Sequence, residues 1–178
     1  MVDAKLVYAE GETVGCAGYF CSERKVLAIA MQHKRHEWLG LLAHESSHMD
    51  QWIERPYIWE KLMPGYSLFF EWLDGGIKKR EDLEEAVQDI IRLEKDCEER
   101  AIRKMIDYNL PVNVERYKRR ANAYMYAYLY FLETRKWVPR IYSRPEVWSK
   151  SPVRFPREYN KIPRGLHTAF KVFHGKQF

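Results

Sequence analysis

The residues in this 178-residue chain whose types and spacing could do chemistry are His44, Glu45 and His48, in the run His-Glu-Ser-Ser-His. On a helix, four residues advance about 400°, so the two imidazoles stand about 40° apart and about 6 Å along the axis. Both can reach one point on the same face. Neutral imidazoles so placed suit a zinc ion in a tetrahedral site. Glu45, one step round the helix, can hold a proton drawn from water at the ion without ligating it. The preceding stretch Trp38-Leu-Gly-Leu-Leu-Ala is apolar nearly all round, the mark of a buried helix. Three polar side chains in a buried helix are costly unless they coordinate or pair. The plainer alternative is a satisfied polar patch in a helix core.

A catalytic zinc needs a third protein ligand and an open fourth position. Glu54 stands at the offset of the third ligand in H-E-x-x-H-x-x-G-x-x-H, but Gln51 occupies the glycine position that would break the helix. On an unbroken helix Glu54 lies about 240° off the histidine face and points away. The other source is Glu94-Lys-Asp-Cys-Glu98, whose two glutamates share a helix face at i, i+4. One can bind metal while the other accepts the second N–H of a ligating histidine. Glu94 is the preferred third ligand and Glu98 the other candidate. An acidic, solvated helix side is the plainer reading of both. The three cysteines, Cys16, Cys21 and Cys97, include no C-x-x-C pair. They read as small, partly buried thiols of a reducing compartment, with metal ligation the minority case.

These residues need elements to position them. Residues 14–31 read as a β-hairpin with Ser22-Glu23-Arg24 at its turn. A helix is expected from His36 to Glu54, stopped by Pro56. Residues 55–80, broken by Pro56, Pro64, Gly65, Gly75 and Gly76, read as irregular and rich in aromatics, which more often form a satellite core than a cleft wall. A second helix is expected over 81–108, with Leu83, Val87, Ile90, Ile91, Cys97, Ala101, Ile102 and Met105 near helical spacing. A third, over 114–137, is capped by Asn113. It carries Tyr124, Tyr126, Tyr128 and Tyr130, whose alternation imitates a strand. From Val138 five prolines and no periodicity predict an extended arm.

Length suits one domain, and a 46% hydrophobic content argues against wholesale disorder. No apolar run approaches the roughly 18 residues of a membrane span. Residues 1–11 carry Asp3 and Glu10 and no basic start before an apolar stretch, so a signal peptide is not expected and a cytosolic location is. The net charge of +5 divides into −8 over residues 1–99 and +13 over residues 100–178. Two halves packed together explain the split, as does a basic surface for an acidic partner. Arg116, Lys118, Arg119 and Arg120 beside the four tyrosines make nucleic-acid binding the alternative function, with zinc structural or vestigial, although no recognised nucleic-acid motif accompanies them. A metal hydrolase acting on a bond other than a peptide is a third possibility, although the deaminase signature is absent, since neither P-C-x-x-C nor H-x-E occurs.

A strand, an H-E-x-x-H helix and a second helix bearing E-x-x-x-[D/E] resemble the zincin fold of the gluzincin metallopeptidases. Glu94-Lys-Asp-Cys-Glu-Glu-Arg-Ala101 is similar to the E-x-x-A-[DN]-x-x-A motif of membrane-bound prenyl-protein proteases and ImmA/IrrE-type phage-element proteases. The departures are Cys97 for the usual Ala and Glu98 for Asp or Asn. The whole chain also looks like small metallopeptidase-like proteins carried by bacteriophages, which places it in a bacterial or phage-infected cell. The motif match covers residues 25–105.

The resemblance implies an α+β, zincin-like fold, mainly helical, in a single metal-binding domain over residues 1–137 with the arm 138–178 packed on it. It implies a Zn2+-dependent hydrolase of protein or peptide substrates. His44, His48 and Glu94 hold the metal, Glu98 stands behind a histidine, and Glu45 moves a proton from water to the leaving nitrogen. Strand Val26–Met31, through Leu27 and Ile29, would bind an extended peptide by edge pairing. Tyr124, Tyr126, Tyr128, Arg120 and His167 are the candidate oxyanion donors.

Overall fold

The computed structural model describes residues 5–9, 18–30 and 35–175. The protein is mainly helical with a small N-terminal sheet of β1 (Lys5–Ala9), β2 (Gly18–Cys21) and β3 (Val26–Ala30). Among the described residues seven α-helices follow: α1 (Arg35–Glu54), α2 (Pro56–Leu62), α3 (Pro64–Leu73), α4 (Arg80–Asp107), α5 (Val114–Thr134), α6 (Pro145–Trp148) and α7 (Arg164–His174). The described residues fall into two compact units, one within 1–59 and 96–114, the other within 60–95 and 115–178.

In the first unit β2 and β3 form the expected hairpin, with Cys21 opposite Val26. Residues 14–17 and Met31 of the expected hairpin lie outside the described residues. Lys25 closes the turn in the left-handed region, at φ 51°. β1 pairs with β3 in parallel, from Lys5 opposite Val26 to Ala9 opposite Ala30, so the strand order is β1-β3-β2. β3 is therefore central, and both of its edges are taken. This corrects the expectation that Val26–Met31 receives a peptide by edge pairing. Leu27 and Ile29 are buried core side chains, and β2 is an edge strand of the sheet.

Helix α1 packs on β2 and β3. Gly18 makes this possible. A Cβ there would stand 2.9 Å from the Ala28 carbonyl oxygen and 3.1 Å from Leu41 Cδ2 of α1, distances that no side chain tolerates without a shift. Aromatic rings complete this layer, with Phe20 of β2 5.8 Å from both Trp52 and Trp59.

The second unit holds a core of Phe69, Trp72, Leu83, Val87, Ile90, Tyr128, Phe131, Leu166 and Phe170, among others. Residues 55–80 are not irregular, because they contain α2 and α3. The prolines that look like breakers begin these helices, where a missing N–H costs nothing and a fixed φ is favourable. Gly65 sits where α3 touches the backbone of Ala86, and a Cβ would be 2.9 Å from the Ala86 oxygen. Helix α4 matches its expected span closely, and all eight of its predicted apolar positions are buried. Asn109, at φ 47°, ends it in a left-handed turn whose Leu110 N–H reaches the Met105 carbonyl. Helix α5 stops at Thr134, short of the expected Trp137. Arg135 turns left-handed there, and its guanidinium donates to the carbonyls of Trp72 and Gly76.

The segment after Val138 is less extended than its prolines predict. It contains a 3-10 turn (Ile141–Ser143), α6 and α7, and α7 buries Leu166 and Phe170 at i, i+4. The stretch 151–163 between α6 and α7 has no regular structure and is tied down by backbone carbonyls. Arg119 donates to Ser151 O, Asn122 to Pro152 O, and Lys95 to Pro156 O. Among the described residues no helix is long and apolar enough to cross a membrane.

Candidate metal centre

His44, Glu45 and His48 lie in the middle of α1, where the sequence places them. Glu45 is 6% exposed and His48 8%. The two serines between them are satisfied locally, since both hydroxyls donate to the Ala43 carbonyl. The rings of His44 and His48 meet edge to face, with centroids 4.7 Å apart. Trp59 covers His48 from one side, at 5.7 Å.

Each imidazole is engaged at Nδ1. For His44 the neighbours come from α4: Glu98 Oε1 at 3.3 Å and Cys97 Sγ at 3.6 Å. For His48 the partner is on its own helix, with Gln51 Oε1 at 2.8 Å. A ring that donates Nδ1–H to an oxygen carries its lone pair on Nε2, the atom left to bind a metal. One ligand atom from each of His44, His48 and Cys97 can be chosen so that all lie within 4.8 Å of one another. A tetrahedral zinc with ligands at about 2.0–2.3 Å requires separations of about 3.3–3.8 Å, so modest side-chain adjustment closes the set. Imidazole, carboxylate and thiol donors suit zinc better than magnesium or calcium.

Burial alone would lower the pKa of His44. The adjacent Cys97 sulfur and Glu98 carboxylate outweigh it and hold the ring well above the ordinary histidine value. The second carboxylate oxygen of Glu98 is buried and meets no hydrogen-bond partner among the described residues. A buried carboxylate oxygen so placed fits a cation nearby.

Glu94 lies one turn before Glu98 on α4, at the i, i−4 position and equally buried, 3% exposed. Within the second unit its Oε1 accepts the Tyr66 hydroxyl, and Tyr124 Oη lies 3.5 Å away. Tyr124 and Tyr128 share a 2.6 Å hydrogen bond. Burial first, and then the Glu94 charge, push both phenols well above their usual pKa, so they remain protonated donors. Tyr128, Tyr126 and Tyr130 are interior packing, 1%, 5% and 2% exposed, and Tyr124 is half-buried against the same core. Of the other oxyanion candidates, His167 pairs with Glu133 at 2.8 Å and Arg120 lies 3.4 Å from Ser143 Oγ. Glu54 pairs with Arg100 at 2.7 Å.

Two participants escape the sequence. Cys97 resembles ordinary core filling at its helical spacing, and only the fold brings its sulfur to His44, 53 positions away. Gln51 stands out in sequence only as the missing glycine, although its i+3 offset from His48 was a usable signal. Comparison with protein-family models, with curated proteins and with solved structures finds no match. What the site is rests on its own geometry: a buried His/Glu/Cys group with the donor chemistry of a metal site.

Proposed function

We propose that the chain is a zinc-dependent hydrolase of peptide bonds with a zincin-like active site, in which His44, His48 and Glu94 hold the ion. The observation that carries this reading is the pair of histidines on a buried helix face, each engaged at Nδ1 by an oxygen acceptor. With Glu98 placed against His44, the division of roles assigns Glu94, on the same face of the same helix, as the third ligand. Bound zinc would supply a Lewis acid and bring a water's pKa toward neutrality.

Glu45 is the residue that moves the proton. It is buried, one residue after His44 and three before His48 on the helix, and its carboxylate takes a proton from the attacking water and returns it to the leaving amine. Trp59 against His48 limits water around the ring, which strengthens the electrostatics of the site. An extended substrate would pair with β2, an edge strand on which α1 packs, and not with β3. The substrates are proteins or peptides of the cytosol in this reading.

The test joins stoichiometry to turnover. The wild type is expected to carry about one zinc per chain by elemental analysis and to cleave an unfolded protein in a chelator-sensitive manner. Glu45→Gln is expected to keep the zinc and lose the cleavage. Equal cleavage by that variant removes Glu45 as the base, and a wild type that binds no zinc removes the whole reading.

A further inference from the structure

Gln51 occupies the position where a helix-breaking glycine would otherwise deliver a third ligand. It stays on α1, 4% exposed, on the same face as the histidines. Its Oε1 lies 2.8 Å from His48 Nδ1, and its Nε2 donates to Asp96 Oδ2 at 2.9 Å. The amide is thereby oriented from both ends. A flip would turn its NH2 toward the histidine and its carbonyl toward the Asp96 carboxylate, setting acceptor against acceptor. Asp96 is itself held, because its Oδ2 also accepts from Arg100 Nε at 2.8 Å, and Arg100 donates onward to Glu54 at 2.7 Å. Burial opposes the charge on Asp96, but the hydrogen bonds from Gln51 and Arg100 and the charges of Arg100 and Arg55 outweigh it and lower its pKa.

From this chain of contacts we infer that Gln51 is a positioning residue that locks His48 in the Nδ1–H tautomer and so keeps the lone pair on Nε2, where a metal could use it, with Asp96 and Arg100 fixing the amide. The inference rests on the metal reading above for its purpose, but not for its geometry. A neutral imidazole has two tautomers, and only the one with a bare Nε2 can ligate from that atom. An acceptor fixed at Nδ1 selects it before the ion arrives. Glu98 performs the corresponding task for His44 with a charged oxygen, whereas Gln51 does so with a neutral one whose direction is set by a salt-bridged aspartate. Unlike a carboxylate, the amide cannot take the proton from the ring, so His48 keeps its Nδ1–H.

The experiment uses the full chain, 15N-labelled and metal-free, at a mildly alkaline pH. Long-range 1H–15N correlations report which His48 nitrogen bears the proton. Wild type is expected to show a protonated Nδ1 and a bare Nε2. Gln51→Leu, which removes the acceptor at similar volume, is expected to shift the ring toward the Nε2–H form. It should also weaken zinc binding by about 10–100-fold in a competitive titration. Gln51→Glu in an Asp96→Asn background restores an acceptor without setting two carboxylates together, and should recover the Nδ1–H tautomer. This variant also serves if Gln51→Leu does not fold. A wild-type His48 protonated at Nε2, an unchanged ring in Gln51→Leu, or no recovery in the double variant overturns the inference. If the tautomers behave as expected but the wild type binds no zinc, the positioning role stands and the metal reading fails.

Discussion

Glu98 Oε1 lies 3.3 Å from His44 Nδ1, and in the proposed site this pairing would give separate tasks to two carboxylates that the spacing of α4 leaves equivalent. A carboxylate that holds a ligand's far nitrogen tunes the metal without binding it. Glu94→Ala is therefore expected to abolish stoichiometric zinc, whereas Glu98→Ala weakens binding by about 10–100-fold and leaves a measurable site. Zinc titration of the two variants decides the matter, and the opposite order would exchange the two roles.

Cys97 brings a sulfur atom to the same histidine, and the two assignments open to it differ in colour. Its Sγ lies 3.2 Å from the His44 carbonyl, the geometry of a thiol donating S–H. With Glu94 as the proposed third ligand the thiol keeps that proton, since ligation would require the thiolate. The cobalt-substituted protein is expected to lack a thiolate-to-metal charge-transfer band, and Cys97→Ala to retain its metal. A near-ultraviolet band that disappears in Cys97→Ala would make the sulfur a ligand.

The raised pKa of His44 has a consequence for stability. A histidine whose pKa is higher in the folded than in the unfolded chain stabilises the fold fully below the unfolded value of about 6.5. That contribution is lost as pH rises through the raised folded value. The metal-free protein should therefore become less heat-stable as pH climbs above about 6.5, and His44→Gln should flatten the curve. Added zinc should reverse the trend, because metal and proton compete for the ring. Melting curves across this range, with and without metal, provide the check, and a wild type and variant of identical slope would refute the expectation.

Far from the histidines, Asn122 anchors the irregular stretch after α6. It is fully buried on α5, donates to the Pro152 carbonyl at 2.9 Å and accepts the Tyr159 hydroxyl at its Oδ1. Tyr159→Phe removes that donor and leaves a buried amide oxygen short of a hydrogen bond. The expected cost is about 1–3 kcal/mol in denaturant unfolding, with earlier proteolytic cleavage within 151–163. A change within about 0.5 kcal/mol would mean that the Tyr159 ring, 4.8 Å from Tyr126, holds the segment by packing alone.

How much of this was legible in sequence depends on how local each signal is. The stripe Leu83, Val87, Ile90 and its continuation to Met105 marks α4 because helical burial repeats every three to four residues. His44 and His48 are adjacent for the same reason. β1 has no such local signature, since its partner is a distant parallel strand, with Lys5 opposite Val26. That pairing is also what makes β3 central and denies it a free edge. Pro56 and Pro64 were ambiguous as residues, because proline both ends a helix and begins one. Gln51 could be placed on the histidine face by counting, but its orientation depends on Asp96, 45 residues away. The tyrosines of α5 looked available to a ligand until the core formed around them.

Gly18 contributes no side-chain atom, yet it sets the clearance between sheet and helix. With the Ala28 oxygen and Leu41 Cδ2 both near 3 Å from where a Cβ would be, β2 and α1 rest against each other with no intervening spacer. Leu41 precedes His44 by less than one turn, so a spacer inserted there would tilt the helix as a lever and carry both imidazoles away from Glu98 together. The tolerance of the candidate metal centre is thus set partly in the hairpin, by the thickness of a missing methyl group.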